Sequence, residues 1–578
     1  MAYIELPNSA YLDFTSYRGN GSLPADGVAV SSFSFNVALV LERANDPSTL
    51  LEANWAARQQ QLSAMDADTL WSTYGADPAQ YADALSALAD LGISTVDQIS
   101  AVNGYVSSME SRTIWVQVDE TNFTTLFGPG AELLYASVDG KTIVYWEGHL
   151  SLPDTLTSNG VKGLMFDGGG LNRPVVENPG DGTAVTLPQG PQSAGNSASH
   201  RSTLDPNEIA SLYNFPFNSA STPELWKGVQ TGTIGLIEPN LGTALPPGSK
   251  SFQELADAYR AHVGIDTPGI FINVAPGGTG KTESGERSLD LGVVTAISPT
   301  SAIAFYAGSG IEAGASSGVY TALQAAYWDT TNNPEVISSS WADLAHFAPG
   351  SPFAFAYNEL YIDAVLRNIT VLNSAGDGGS GAQFGNGLTN VQSSNTRPYS
   401  VVVGGTSLST TDLASQDTTL TSLVTAAKAL DPATIWALVA GGLTALPSSK
   451  NTAAFLLETV WNSYAVVGNE IVNQKDNGGG YNANEAGAGG VDPSLPQPSY
   501  QTDFGLNLTT SDPSALPGRG IPDVAALAGG NMGYTVPTES MTGTEGDGGT
   551  SASAPLWAAR VAQFNALFRD QELPQLGY

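Results

Sequence analysis

The 578-residue chain contains no cysteine, which excludes a disulfide framework, a thiolate nucleophile and a zinc site built on cysteine. Positive charge is scarce: 21 lysines and arginines stand against 55 aspartates and glutamates, for a formal net charge of −34 at pH 7. That sign argues against a nucleic-acid partner. Histidine is nearly absent, and none of His149, His200, His262 and His346 stands in a setting that marks a general base. Long apolar runs are also missing. The most apolar stretch, residues 435–446, is interrupted by Gly441-Gly442 and closed by Pro447, and at twelve residues is too short to span a bilayer. The start, Met1-Ala2-Tyr3-Ile4-Glu5-Leu6-Pro7, lacks the basic segment and apolar core of a standard secretory signal. A soluble, non-membrane protein is expected.

What is present suits acid. The sequence isoelectric point is about 4.1, so self-repulsion falls as the medium approaches pH 4. Charged residues make up 13% of the chain, against roughly 25% in an average soluble protein. Fewer carboxylate interactions are therefore lost on acidification. Histidine would be protonated there, whereas a glutamate of ordinary pKa near 4.3 still works as a base. The same composition also fits a halophilic or merely acidic protein.

Three segments carry chemistry. Gly549-Thr550-Ser551-Ala552-Ser553-Ala554-Pro555 puts a serine on a small-residue turn opening into a helix, whose Trp557, Val561, Phe564 and Phe568 make an apolar stripe. Pro555 is expected in the first turn, where its missing N–H is tolerated, and Ser551 at the positive end of the helix dipole. A plain helix cap is the bland reading of that heptapeptide. Gly285-Glu286-Arg287-Ser288-Leu289-Asp290 opens a second helix on which Glu286, Asp290, Val293 and Ile297 share a face. Two acids on an apolar face titrate as a coupled pair and offer an acid-range base; two solvated acids at a helix start are the alternative. Finally Ile369-Thr370-Val371-Leu372 reads as a buried strand running into Asn373-Ser374-Ala375-Gly376-Asp377. Asp377 then lies at a strand's carboxyl end, where open α/β sheets bind ligands. A neutral carboxylic acid there can donate to an oxyanion, although an Asp-Gly loop is also an ordinary turn.

Together these segments resemble the sedolisin family of serine-carboxyl peptidases and its kumamolisin-like pro-enzymes. The family's Glu-x-x-x-Asp, Ser-Ala-Gly-Asp and Gly-Thr-Ser-Ala-Ser-x-Pro motifs occur here in the family's order. Similar stretches at residues 209–216, 336–341, 401–406 and 519–526 also keep that order. The resemblance implies an acid-acting endopeptidase on a subtilisin-like, doubly wound α/β fold. It implies Ser551 as nucleophile, Glu286 as general base, Asp290 as its supporting acid and Asp377 as oxyanion donor. It implies protein or peptide substrates, a self-inhibiting prodomain, a monomer and secretion, by a route the sequence does not display.

Three departures stand out. Gly548 replaces the family's usual serine before Gly-Thr-Ser, which is expected to loosen the turn. The family's calcium loop lies beyond the nucleophile helix, and Tyr578 comes 27 residues after Ser551. Calcium is thus expected from the resemblance, but its ligands would lie beyond Tyr578, and no metal or cofactor ligand is assigned. The link from Asp377 to Ser551 is longer than the family's, which implies a surface insertion at about residues 412–454.

Length and pattern suggest at least two domains. Residues 1–170 mix strands (113–118, 142–146) with a helix at 78–91 whose Tyr81, Leu85, Leu88 and Leu91 form a stripe. A small α+β, ferredoxin-like activation prodomain is expected there. Residues 171–203 read as a linker holding the maturation cut. Residues 204–578 form the peptidase domain, with strands at 233–237, 270–274, 302–306, 336–339, 369–372 and 401–403 alternating with helices. Two rivals remain. Ala275-Pro276-Gly277-Gly278-Thr279-Gly280-Lys281-Thr282 fits a relaxed phosphate-binding loop, but acidic Glu283 and Glu286 follow it and no separate magnesium-binding aspartate is evident. A truncated or non-catalytic relative that only binds peptides is the other.

Overall fold

The computed structural model describes residues 2–9, 27–99, 105–138, 141–167, 202–219, 222–226, 228–275, 282–309, 318–343, 349–377, 391, 394–409, 431, 433, 457–461, 464–467, 470–473, 487–510, 514–529 and 532–578. The expected linker and nearly all of the 412–454 insertion lie outside these residues, as do Lys281 and most of the phosphate-loop candidate.

The amino-terminal part is built on strand β1 (Ser34–Leu41), whose nearly unbroken apolar run suits a central strand covered on both faces. Helices α1 (Trp55–Ser63) and α2 (Pro78–Asp90) follow, then β2 (Thr113–Asp119) and β3 (Val161–Asp167). Both strands pair antiparallel with β1, so Val37 faces Val116 on one side and Phe166 on the other. The Asp77 side chain caps α2 by accepting from the N–H groups of Ala79 and Gln80, and Pro78 fills a first-turn position that needs no donor. The expected stripe on α2 needs one correction. Ala84, Ala87 and Leu88 are the buried residues, whereas Leu85 is 37% exposed. The small alanines let the helix sit close to its neighbours, which turns the contact face away from Leu85.

The second part is an α/β unit on an eight-stranded sheet. In chain order its elements are β4 (Thr233–Ile237), α3 (Phe252–His262), β5 (Ile270–Val274), α4 (Gly285–Ile297), β6 (Ala302–Tyr306), α5 (Gly318–Tyr327), β7 (Val336–Ser339), α6 (Pro352–Leu366), β8 (Thr370–Ser374), β9 (Val401–Ser409), β10 (Leu457–Val460), β11 (Val524–Gly529), β12 (Met532–Pro537), β13 (Thr544–Asp547) and α7 (Thr550–Asp570). The parallel order is β5-β6-β4-β7-β8-β9-β11, and β10 joins antiparallel beside the far end of β9. This is the expected parallel-sheet α/β core. Two strands run on past their expected ends. β8 continues through buried Asn373, whose amide donates to the Tyr361 hydroxyl at 2.8 Å. β9 continues through Gly404-Gly405, where a side chain on Gly405 would meet Ala528 and Trp461 at 2.7 Å. Glycine here is demanded by packing and does not end the strand.

Register then aligns three strand ends. Ile237 of β4 pairs with Ser339 of β7, and Ser339 pairs with Asn373 of β8. The residues just past them, Glu238, Ser340 and Asp377, therefore emerge side by side at the carboxyl edge.

The two parts are packed together. A side chain at Gly163 of β3 would fall 2.9 Å from the Phe355 ring of α6, so glycine permits the sheet to approach that helix. Trp115 of β2 donates its indole N–H to Gln324 of α5 at 2.9 Å. At the centre, Arg43 and Arg112 hold Glu359 and Asp363 of α6: Arg43 meets them at 2.7 and 2.8 Å, Arg112 at 3.0 and 2.5 Å. Both arginines and Asp363 are buried. Removing one member of such a group leaves buried charge behind, at a cost of about 3–5 kcal/mol. Asp363→Ala is thus expected to lower stability to urea by that order. Replacing Arg43, Arg112, Glu359 and Asp363 together by apolar residues should cost less, because no buried charge is stranded.

Candidate active site

Ser551 lies in the first turn of α7, buried at 8% exposure. The helix cap Gly549 has φ +95, and a side chain there would also come within 2.9 Å of Asp377 Oδ2. Glycine is therefore required twice over. Gly548 corrects an expectation: a Cβ on it would sit 2.1 Å from the Ala528 carbonyl oxygen. The residue makes the turn close, not loose. Pro555 also departs from expectation, since α7 begins at Thr550 and Pro555 lies in its second turn. The helical partner of the Ser551 carbonyl would be the N–H of residue 555, and proline has none.

Asp377 is locked onto this turn. Its Oδ1 accepts from the Thr550 N–H at 2.9 Å and from the Thr550 hydroxyl at 2.8 Å, while that hydroxyl accepts from Gly376 N–H at 3.0 Å. With both donors on Oδ1, a proton carried by Asp377 falls to Oδ2 and can be donated onward. Burial raises the Asp377 pKa against the pull of the two Thr550 bonds.

Helix α4 brings its acids to the same place. Glu286 faces the Ser551 and Ser340 hydroxyls; burial pushes its pKa up to about 7, those two hydrogen bonds oppose the rise, and Asp377 and Asp547 add to it. Asp290 is fully buried, with Ser340 Oγ at 2.9 and 3.0 Å from its two carboxyl oxygens. Burial, then Glu238 and Glu286, lift it well above the carboxylate range. Ser340 Oγ also lies 3.2 Å from the Ser551 carbonyl oxygen, the acceptor that Pro555 leaves open. All four residues singled out in the sequence thus meet at one edge of the sheet.

The sequence reading passed over Glu238, Ser340, Thr550 and Asp547. Glu238 is wholly buried and accepts from the Trp341 indole N–H at 3.2 Å, while its other oxygen has no hydrogen-bond partner among the described residues. Burial and Glu286 push its pKa up to about 8. The signal was available: an acid directly follows the apolar strand Ile234-Gly235-Leu236-Ile237, at the edge where such sheets bind ligands. Asp547 ends β13 and accepts from Gly548 N–H at 2.8 Å; burial raises it, with Glu545 and Asp377 adding to the effect. Its exposed strand gave no periodic signal. Among the described residues, Arg287 is the cation acting on Glu238, and its N–H groups point to the carbonyls of Gly242, Ala244 and Thr282. The group is therefore an acid cluster that retains protons.

No protein-family model matches the chain. Over 314 residues it is 29% identical to kumamolisin of Bacillus sp. (strain MN-32), a stretch amounting to 53% of this chain and 45% of that protein. The chain is similar to kumamolisin over that stretch. It spans about half the length of the curated relative it matches. Similar solved structures include Pseudomonas sedolisin, a serine-carboxyl proteinase complexed with two molecules of pseudo-iodotyrostatin, at TM-score 0.43 and 18% identity over 66% of this chain and 84% of that one. The epidermin leader peptide processing serine protease of Staphylococcus aureus matches at TM-score 0.35 and 11% identity over 93% and 90%.

The acid cluster has a thermodynamic signature. Glu238 and Glu286 have folded pKa values above the ordinary 4.5, so the folded state holds protons that the unfolded chain has released. Their contribution to stability is complete below about pH 4.5 and is lost as pH rises through about 7 to 8. In the Ser551→Ala protein the melting temperature is expected to fall between pH 5 and pH 8. Glu238→Gln should raise it by about 2 °C or more at pH 8 and leave it nearly unchanged at pH 5. Melting curves at the two pH values check this.

Proposed function

We propose that this protein is an acid-acting serine-carboxyl endopeptidase, made as a self-inhibited pro-enzyme, that cuts protein or peptide chains through an acyl-enzyme on Ser551. The observation that carries the reading is the meeting of Glu286 from α4 and Asp377 from the loop after β8 at the buried first turn of α7, which bears Ser551. Glu286 takes the hydroxyl proton as Ser551 Oγ attacks the peptide carbonyl carbon. Asp377, protonated on Oδ2, donates to the oxyanion that forms. Glu286 then returns its proton to the leaving amine, and a water molecule repeats the cycle to release the acyl group. Asp290 stays protonated and steadies Glu286 from below. A histidine base would be silenced by the acidity that keeps Asp377 and Asp290 protonated.

Residues 1–170 act in this reading as a ferredoxin-like prodomain, residues 171–203 as a linker cut on maturation and residues 204–578 as the peptidase domain. The three-stranded sheet supports it, because it shares no strand with the eight-stranded sheet and docks on α6 through Arg43 and Arg112. Secretion follows from the same reading, as does a monomer.

Hydrolysis of an unfolded protein substrate, followed from strongly acidic to neutral pH, tests the proposal. Activity should peak in acid, and Ser551→Ala and Glu286→Gln should each reduce kcat about 10⁴-fold or more. Undiminished hydrolysis by Ser551→Ala overturns it.

A further inference from the structure

Ser340 carries one hydroxyl proton and faces acceptors on two elements: both oxygens of Asp290, the Glu286 carboxyl group and the Ser551 carbonyl. A hydroxyl donates once and accepts up to twice, so these contacts cannot all be satisfied by donation from Ser340. The protonation state of Asp290 decides the arrangement. When Asp290 is protonated, its O–H donates to Ser340 Oγ and the Ser340 proton is free to turn toward Glu286 and the Ser551 turn. When Asp290 is ionised, the hydroxyl turns back to it and the nucleophile side loses its donor.

We propose that Ser340 is a positioning residue that couples the proton on Asp290 to the base Glu286 and to the backbone of the nucleophile. Pro555 gives the arrangement its second half. By withholding the N–H that would bond the Ser551 carbonyl, it leaves that oxygen for Ser340. A hydroxyl of β7's trailing residue thereby replaces a helix hydrogen bond at the nucleophile. The titratable groups around this hydroxyl are Glu286 and Asp290 on α4, Glu238 after β4, Asp377 after β8 and Asp547 at the end of β13, with Arg287 acting on Glu238. Of these Ser340 bonds Asp290 and Glu286, so its loss reaches them first.

The sign follows. A donor to Glu286 favours its charged form, so removing the hydroxyl makes Glu286 hold its proton to higher pH. The inference rests on Glu286 acting as the base, and the experiment separates the two ideas. Carboxyl protonation is followed by infrared titration in the Ser551→Ala protein, with Glu286→Gln and Asp290→Asn identifying the bands. Ser340→Ala should raise the Glu286 titration by about one pH unit, and Ser340→Thr, which keeps the hydroxyl, should restore it. Coincident titrations with and without the hydroxyl overturn the coupling, whether or not the protein hydrolyses anything. In protein with Ser551 intact, Ser340→Ala should move the acid limb of kcat/KM upward by a similar amount and lower kcat about 10-fold, with KM within about two-fold. A fall in kcat with an unmoved limb marks a merely structural role and overturns the proposal. Should Ser340→Ala fail to fold, Ser340→Cys, of similar size and a weak donor, takes its place with the same expected direction.

Discussion

The site depends on keeping several carboxyl groups dry and close together. Glu238, Asp290, Glu286 and Asp377 gather at the carboxyl edge of one sheet without a guanidinium or ammonium bonded to any of them among the described residues. Such a group survives only if most of its members hold protons and if neutral donors satisfy the rest. The surrounding residues answer that demand. Thr550 bonds Asp377, Ser340 bonds Asp290, and Trp341 bonds Glu238. Gly548 and Gly549 bring the Ser551 turn against Ala528 and Asp377 at distances no side chain would allow.

Much of this was legible because local pattern and tertiary demand agreed. The strands β4, β5, β6 and β7 have the ends their apolar runs suggest, and Glu286 and Asp290 share a face because helical spacing puts them there. What escaped depended on contacts distant in sequence. Ser340 becomes informative only when register sets β7 beside β4 and β8. Pro555 looked like a first-turn residue because the start of α7 is fixed by Gly549 and Asp377, not by the proline. Leu85 counted as core by periodicity, yet the contact face of α2 turned to its alanines.

The scarcity of positive charge takes on meaning in the interior. Arg112, Arg260, Arg287, Arg397 and Arg519 are among the largest fully buried side chains. Arg260 bonds the carbonyls of Thr267 and Pro299, and Arg519 those of Thr396, Arg397 and Ser400. A planar donor fork suits backbone oxygens, which do not titrate, so these contacts persist at a pH where carboxylate partners would lose their charge. Arg43 and Arg112 differ in meeting carboxylates across the junction of the two parts. Arg260 and Arg519 thus lean chiefly on backbone oxygens, whereas the junction of the two parts rests on ion pairs.

An ordinary helix carries each of its carbonyls lengthwise, along its own axis. At Ser551 that rule is broken by Pro555, and the carbonyl is tied sideways to the residue that trails β7. Fraying or flexing farther along α7 consequently has a weak grip on the backbone of Ser551. A displacement of β7 has a direct one. The sheet, more than the helix that bears the serine, sets where the serine points.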